Sequence, residues 1–359
     1  MSEIIIKVNS LTKRYKELVA VDHISFEVMK GTMIGFLGVN GAGKSTTINM
    51  MTTVLKPDEG GCEICGYTLG KDDMAIREKI GIVYQQNCLD DMLTVRENLI
   101  TRGVIHKVSK QEADSRLKEL TSILKMEEIL DRRYSKLSGG QKRRAEIAAA
   151  LMHEPEILFL DEPTTGLDPA TRLDVWNAIE DIRENKKMTV FLTTHYMEEA
   201  AVADNIIVID HGQIKATGTP VELKERFAKD KIKLYIDEAE KERILRELDS
   251  EGKESSRDGA GKERSRDDVA WIAEGCGNLT LTNFGIEMEV ESTLKAPMIL
   301  SRICEKYEGL ILGTEIILGN MDDVFLNITE SVKKMTKEPV QENTKELVQE
   351  NTKKYTKES

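Results

Sequence analysis

The run Gly38-Val39-Asn40-Gly41-Ala42-Gly43-Lys44-Ser45-Thr46, entered directly from the apolar stretch Met33–Leu37, leaves this chain few ways to fold. It has the phosphate-loop spacing: a glycine, four residues, then Gly-Lys-Ser. A short apolar strand before the loop and a helix from about Lys44 after it supply the context the spacing needs. Glycines let successive backbone N–H groups converge on phosphate oxygens, and the helix aims the positive end of its dipole at them. In such a loop Lys44 reaches the outer phosphates and the Ser45 hydroxyl ligates Mg²⁺. A nucleotide with Mg²⁺ is therefore expected, held among Gly38, Asn40, Gly41, Ala42, Gly43, Lys44, Ser45 and Thr46.

A second glycine turn, Leu137-Ser138-Gly139-Gly140-Gln141, has no task in the pocket built by the first. Ser138 reads as a helix N-cap, and Gly139 and Gly140 leave backbone N–H groups accessible. Such a bare turn serves a nucleotide held by another domain. The helix from Gln141 to Leu151 carries Lys142, Arg143 and Arg144 in its first turn, which opposes the helix dipole at a cost of a few tenths to ~1 kcal/mol. That departure points either to a nearby anionic partner or to a solvated basic face.

The other candidates stand at strand ends. Ile80–Tyr84 reads as a strand closing on Gln85, which could ligate Mg²⁺, hold the attacking water or simply end the strand. Glu156–Leu160 is an apolar strand ending at Asp161-Glu162. Asp161 is the expected second holder of Mg²⁺, and Glu162 is one step further on, in reach of a water facing the terminal phosphate, as general base. His195 follows the apolar strand Thr189–Thr193 and could contact the terminal phosphate or orient that base. Tyr15 precedes Lys44 of the loop by some thirty residues and reads equally as an adenine-stacking ring or as an ordinary strand-end tyrosine. Ile4–Val8, Ile24–Val28 and Ile206–Asp210 read as further strands, and Leu93 to about Met126 as a charged helical insertion.

Taken together, GVNGAGKST, Gln85, LSGGQ, ILFLDEP, GLDP and His195 stand in the order and spacing of ABC-transporter nucleotide-binding domains, and residues 3–220 resemble that family. The resemblance implies an α/β fold of the P-loop NTPase type, with a mixed sheet core, an antiparallel β subdomain and a helical subdomain. It further implies ATP as the nucleotide, Tyr15 on the adenine, Gln85 as the coupling glutamine, Glu162 as catalytic base, Asp168 in the loop between subunits and His195 as switch histidine. Two such domains would face each other head to tail, with Ser138, Gly139, Gly140 and Gln141 of one touching the ATP of the other. Val39 replaces the proline common in the family, with little consequence expected because its side chain faces no phosphate.

Residues 228–330 read strand, helix, strands, helix, strand, short helix. They look like the small C-terminal α+β domain of drug-export ABC ATPases of the daunorubicin-resistance type, closed by MDDVFLNIT near Met321. Within that region Ser250–Asp268 is charged and nearly free of apolar residues, as expected of a loose loop. From 331 an eight-residue repeat (TKEPVQEN, TKELVQEN) is too polar to bury and reads as a disordered tail.

Composition limits the functions that remain. No apolar run approaches the ~20 residues that span a bilayer, and no signal-peptide pattern opens the chain. A separate integral membrane permease is therefore expected as partner, alongside a second copy or a related ATPase, at the cytoplasmic face of the membrane. A net charge of −12 speaks against nucleic acid as a partner. A soluble ABC ATPase acting on nucleic acid or ribosomes, or an importer ATPase, is the alternative. The five cysteines form no framework. Cys62-x-x-Cys65 lacks further ligands nearby and reads as small apolar strand residues rather than as a metal or redox pair.

Overall fold

In the computed structural model residues 3–254, 276–290 and 296–335 are described. The centre is a six-stranded sheet of β3 (Met33–Leu37), β6 (Ile80–Val83), β7 (Ile157–Asp161), β8 (Thr189–Thr194), β9 (Asn205–Asp210) and β10 (Gln213–Gly218). Its order is β10-β9-β3-β8-β7-β6. Only β10 runs antiparallel to its neighbour. The sequence reading did not assign this strand.

Strands β3, β7 and β8 are buried along their whole length, and alternate residues supply two different cores. Met33, Leu37, Leu158, Leu160, Val190 and Leu192 face the helices. Ile34, Phe36, Phe159 and Phe191 face the other way, toward an antiparallel sheet. That sheet has the order β2-β1-β4-β5, built from β1 (Ile4–Tyr15), β2 (Leu18–Met29), β4 (Glu59–Ile64) and β5 (Tyr67–Thr68). Phe36 and Phe191 lie with ring centroids 5.4 Å apart, and Phe26 of β2 sits 5.9 Å from Phe36. Each such ring withdraws enough apolar surface to contribute about 1.5–3 kcal/mol, so the two sheets are clamped where the phosphate loop begins.

The expected helical insertion is α3 (Val95–Ile105) and α4 (Lys110–Ile123). Each is started by a complete capping box, Thr94 with Glu97 and Ser109 with Glu112. The remaining helices of this part are α1 (Lys44–Met51), α2 (Asp73–Lys79), α5 (Gly139–Leu151), α6 (Pro169–Lys186), α7 (Met197–Ala200) and α8 (Pro220–Phe227).

The C-terminal part follows the expected element order. It comprises β11 (Asp230–Ile236), α9 (Lys241–Glu254), β12 (Cys276–Thr282), β13 (Gly285–Val290), α10 (Ala296–Lys306), β14 (Ile311–Ile317) and α11 (Met321–Met335). Its sheet, β12-β13-β11-β14, is antiparallel throughout. Ile232, Leu234, Ile286 and Met288 pack with Ile244, Leu248, Ile299 and Ile303 into a separate core.

Two features differ from the sequence reading. Helix α9 runs to Glu254, so the charged stretch begins as helix; 255–268, like the repeat from 336 onward, lies outside the described residues. Helix α11 also leaves the C-terminal core. Its Met321, Val324, Phe325 and Ile328 join Leu223 of α8 in the helix-side core of the central sheet. Among the described residues no helix is long and apolar enough to cross a membrane.

Candidate active site

Sheet order brings the site together. The phosphate loop leaves β3, His195 follows β8, Asp161 and Glu162 end β7, and Gln85 follows β6; these four strands are adjacent and parallel. All their chemistry therefore converges at one carboxyl-end edge, where ligands of open α/β sheets bind. A cleft of about 660 Å³ opens there, lined by Tyr15, Asn40, Gly41, Gly43–Thr46, Gln85, Glu162, Thr165 and His195.

The loop itself depends on glycine. Gly43 has φ +107°, and a Cβ there would lie 2.5 Å from the Ala20 carbonyl; only glycine combines that conformation with that approach. Lys44 is 4% exposed. Its Nζ donates to the carbonyls of Gly38 at 2.7 Å and Val39 at 3.2 Å and lies 3.5 Å from Glu162 Oε1. Burial pulls the ammonium below the ordinary lysine range, against the attraction of Glu162 and Asp161. The Val39 side chain is exposed.

Ser45 Oγ lies 3.4 Å from Asp161 Oδ1, which also accepts from Thr193 Oγ1 at 2.6 Å. Glu162 Oε2 accepts from Gln85 Nε2 at 3.2 Å and from Thr165 Oγ1 at 3.0 Å. His195 Nδ1 is 3.2 Å from the same oxygen, within ion-pair distance but not aligned as a hydrogen bond. Burial opposes the charged form of Glu162. Lys44, the Thr165 hydroxyl and His195 together outweigh it and hold the carboxyl below the usual glutamate range. A carboxylate kept ionised beside a lysine and an imidazole is equipped to take a proton.

The second glycine turn sits elsewhere. Ser138 caps α5 through a capping box with Gln141, the Gln141 N–H donating to Ser138 Oγ at 3.4 Å and the Gln141 Oε1 accepting from the Ser138 N–H at 3.1 Å. The side chain of Gln141 is thus committed locally. Gly140 is pressed against α6: a Cβ there would lie 2.1 Å from Thr171 Cγ2. Thr171 in turn donates its hydroxyl to Asp168, the N-cap of α6, at 2.5 Å. The glycine turn and the Asp168 loop form one packed unit, and none of Leu137–Gln141 lines the cleft.

Two further expectations can be set against the geometry. Lys142, Arg143 and Arg144 do not form a solvated basic face, and the anionic partners that are present belong to the chain itself. Lys142 lies 3.6 Å from Asp91, and Arg144 donates to the carbonyls of Leu124 and Lys125. Arg143 is buried and donates to the carbonyls of Tyr84, Glu162 and Pro163. Backbone carbonyls, together with Asp91, offset the adverse dipole. Cys62 is buried in β4, where burial pushes its thiol up to about 12, and Cys65 stands in a turn, pushed up to about 11. Both stay protonated, as small packing residues do. Sequence reasoning does not single out Thr165, three residues from Glu162, or Thr193, and it reads Arg143 only as a charge opposing the helix dipole, whereas its acceptors lie 19, 20 and 59 residues away. Their place as polar residues flanking Glu162 and His195 is the only signal for Thr165 and Thr193.

Strand order, phosphate loop and paired carboxylates define a phosphate-loop nucleotide hydrolase. A family description, ABC transporter, matches residues 21–165. The daunorubicin resistance ATP-binding protein DrrA3 of Streptomyces coeruleorubidus is 40% identical over 240 residues, covering 67% of this chain and 76% of the relative. The Nod factor export ATP-binding protein I of Paraburkholderia xenovorans is 39% identical over 221 residues, covering 61% and 72%. A solved dimeric ATP-binding cassette in a post-hydrolysis state with ADP and Pi superposes with a TM-score of 0.55 at 29% identity, over 60% of this chain and 98% of that one. The chain belongs to the ABC transporter ATP-binding proteins and is an ATP hydrolase.

Proposed function

We propose that this chain is the energy-supplying subunit of an ABC exporter, working as a head-to-tail pair beneath a separate membrane permease. The observation that carries the pairing is that Ser138–Gly140 is exposed or packed on α6 while the cleft with Lys44 and Glu162 lies apart from it. The likeness to a solved cassette dimer supports the same geometry. Relatives named for drug resistance and for Nod factor export support outward transport.

In this reading Lys44 and the loop N–H groups of Asn40–Thr46 hold the phosphates, and Tyr15, half exposed at the cleft rim, stacks on the adenine. Glu162 takes a proton from the attacking water, and His195 holds that carboxylate and the terminal phosphate in register. Gln85 follows the nucleotide's presence through its bond to Glu162. Ser138 and the N–H groups of Gly139 and Gly140 close on the partner's ATP, with Asp168 at the junction. Ser45 and Asp161 offer hard oxygen donors 3.4 Å apart, suited to Mg²⁺, and Gln85 would supply a third. When bound, Mg²⁺ neutralises charge on the phosphates. Residues 1–220 form the ATPase unit and 228–330 the accessory α+β unit, at the cytoplasmic face of the membrane; the tail expected over 331–359 begins instead after helix α11, which runs to Met335.

Affinity capture of the tagged full chain from detergent-extracted membranes should bring down an integral membrane protein. Recovery wholly in the soluble fraction, with ribosomes or DNA attached, would overturn the exporter reading.

A further inference from the structure

Arg143 stands one turn beyond Ser138 on α5 and is 5% exposed. Its hydrogen bonds among the described residues all go to backbone carbonyls. Nη1 donates to Tyr84 at 2.6 Å, Nη2 to Glu162 at 2.9 Å and Nε to Pro163. Burial disfavours the charged guanidinium, and Glu146 and Asp161 attract it only through space, with no hydrogen bond to either; packing alone is served as well by an apolar side chain. What the guanidinium adds is a rigid planar fork that fixes several acceptors at once.

The acceptors it fixes are informative. Tyr84 directly precedes Gln85, and Glu162 is the carboxylate at the centre of the cleft. Glu162 has φ +47°, a left-handed conformation that a non-glycine residue holds only when its surroundings enforce it. Its N–H donates to the Thr193 carbonyl and hydroxyl, each at 3.1 Å. Its carbonyl is held by Arg143. One turn further along α5, Glu146 accepts from the N–H groups of Cys88 and Leu89 at 2.7 and 3.0 Å and from Tyr134 Oη at 2.8 Å. A single helix therefore grips both segments that carry Gln85 and Glu162, and its first turn is Gly139-Gly140.

We propose that Arg143 is a positioning residue that couples the two ATP sites of the pair: it ties α5, whose first turn meets the partner's ATP, to Gln85 and Glu162 of its own cleft. Engagement of nucleotide at one site then sets the geometry of the base at the other. This rests on the reading of Glu162 as general base.

The test compares full-length wild type, Arg143→Lys and Glu162→Gln by steady-state ATP hydrolysis and by equilibrium binding of a fluorescent ATP analogue. Lysine keeps the charge and loses the fork. Arg143→Lys should lower kcat about 10- to 100-fold, leave the nucleotide Kd within about 3-fold, and bring the Hill coefficient for ATP toward ~1. A merely structural role would weaken binding and turnover together. Arg143→Gln, neutral and able to donate to one carbonyl, carries the same expectation and replaces the lysine variant should that one not fold. Turnover surviving in Glu162→Gln removes the base and with it this role for Arg143. Turnover lost in Glu162→Gln but unchanged in the Arg143 variants, or a Kd that weakens as much as kcat falls, overturns the coupling alone.

Discussion

At the scale of single residues, the site is held by positions that tolerate little change in shape. Gly140 makes this concrete. A methyl group there would lie 2.1 Å from Thr171 Cγ2, while the next nearest atom, Thr171 Cβ, is at 3.5 Å. Gly140→Ala should therefore cost about 1–3 kcal/mol through overpacking. Thr171→Ser removes the offending methyl but keeps the hydroxyl that bonds Asp168. The double variant Gly140→Ala/Thr171→Ser should regain most of that loss in urea denaturation. A double variant as unstable as Gly140→Ala alone would show that the contact is not what excludes a side chain there. Glu162 illustrates the opposite case: a strained backbone persists because Thr193 and Arg143 fix it from both sides.

Among elements, the junction of α3, α5 and β6 carries a pH-dependent contact. The rings of His106, which ends α3, and His153, just past α5, stack 3.8 Å apart. His153 Nε2 donates to the Ile80 carbonyl at 3.0 Å. Burial, with His106 and Arg116 adding to it, pushes the His153 imidazole down from 6.5 to about 4. Between those values the unfolded chain holds a proton that the folded chain does not. Stability from this group is thus complete above about pH 6.5 and falls as the pH drops toward 4. The gap corresponds to at most ~3 kcal/mol, and partial solvent contact makes about 1–3 kcal/mol the expected loss. Urea titrations from neutral to acid pH should show His153→Gln, which retains a donor for Ile80, losing less stability than wild type. Parallel slopes for the two proteins would refute the linkage. Helix starts were legible at this scale. Ser138 reads as a cap from the sequence, and Thr94 and Ser109, not singled out there, carry the same signal of a glutamate three residues on; all three form the full box.

For the whole molecule, the decisive arrangement is that the two glycine motifs do not meet within one chain. Ser138→Arg places a cation and bulk where the partner's terminal phosphate is expected. In mixed pairs of wild type and Ser138→Arg, hydrolysis should fall by more than the share of altered chains, because each altered turn disables the neighbour's cleft. Activity falling only in proportion, or full activity independent of protein concentration, would contradict a shared site. The return of α11 onto Leu223 joins the accessory unit to the ATPase core. The sequence placed MDDVFLNIT at the end of its region but could not assign that helix to a core, since an apolar stripe at helical spacing names no partner.

What the sequence determined by itself was local and backbone-driven. Gly38–Thr46 has the glycines and following helix that aim N–H groups at one point, and Leu137–Gln141 is a capped turn with no task in its own cleft, the feature on which the proposed pairing rests. The tertiary structure decided which strands stand side by side. The order β3-β8-β7-β6 brings Lys44, His195, Glu162 and Gln85 to one edge. It also turned Arg143 from an apparent surface charge into a buried clamp on three carbonyls. The reason is physical: periodicity and capping act over a few residues, whereas a buried charge is settled by acceptors that only the folded chain brings within hydrogen-bond reach.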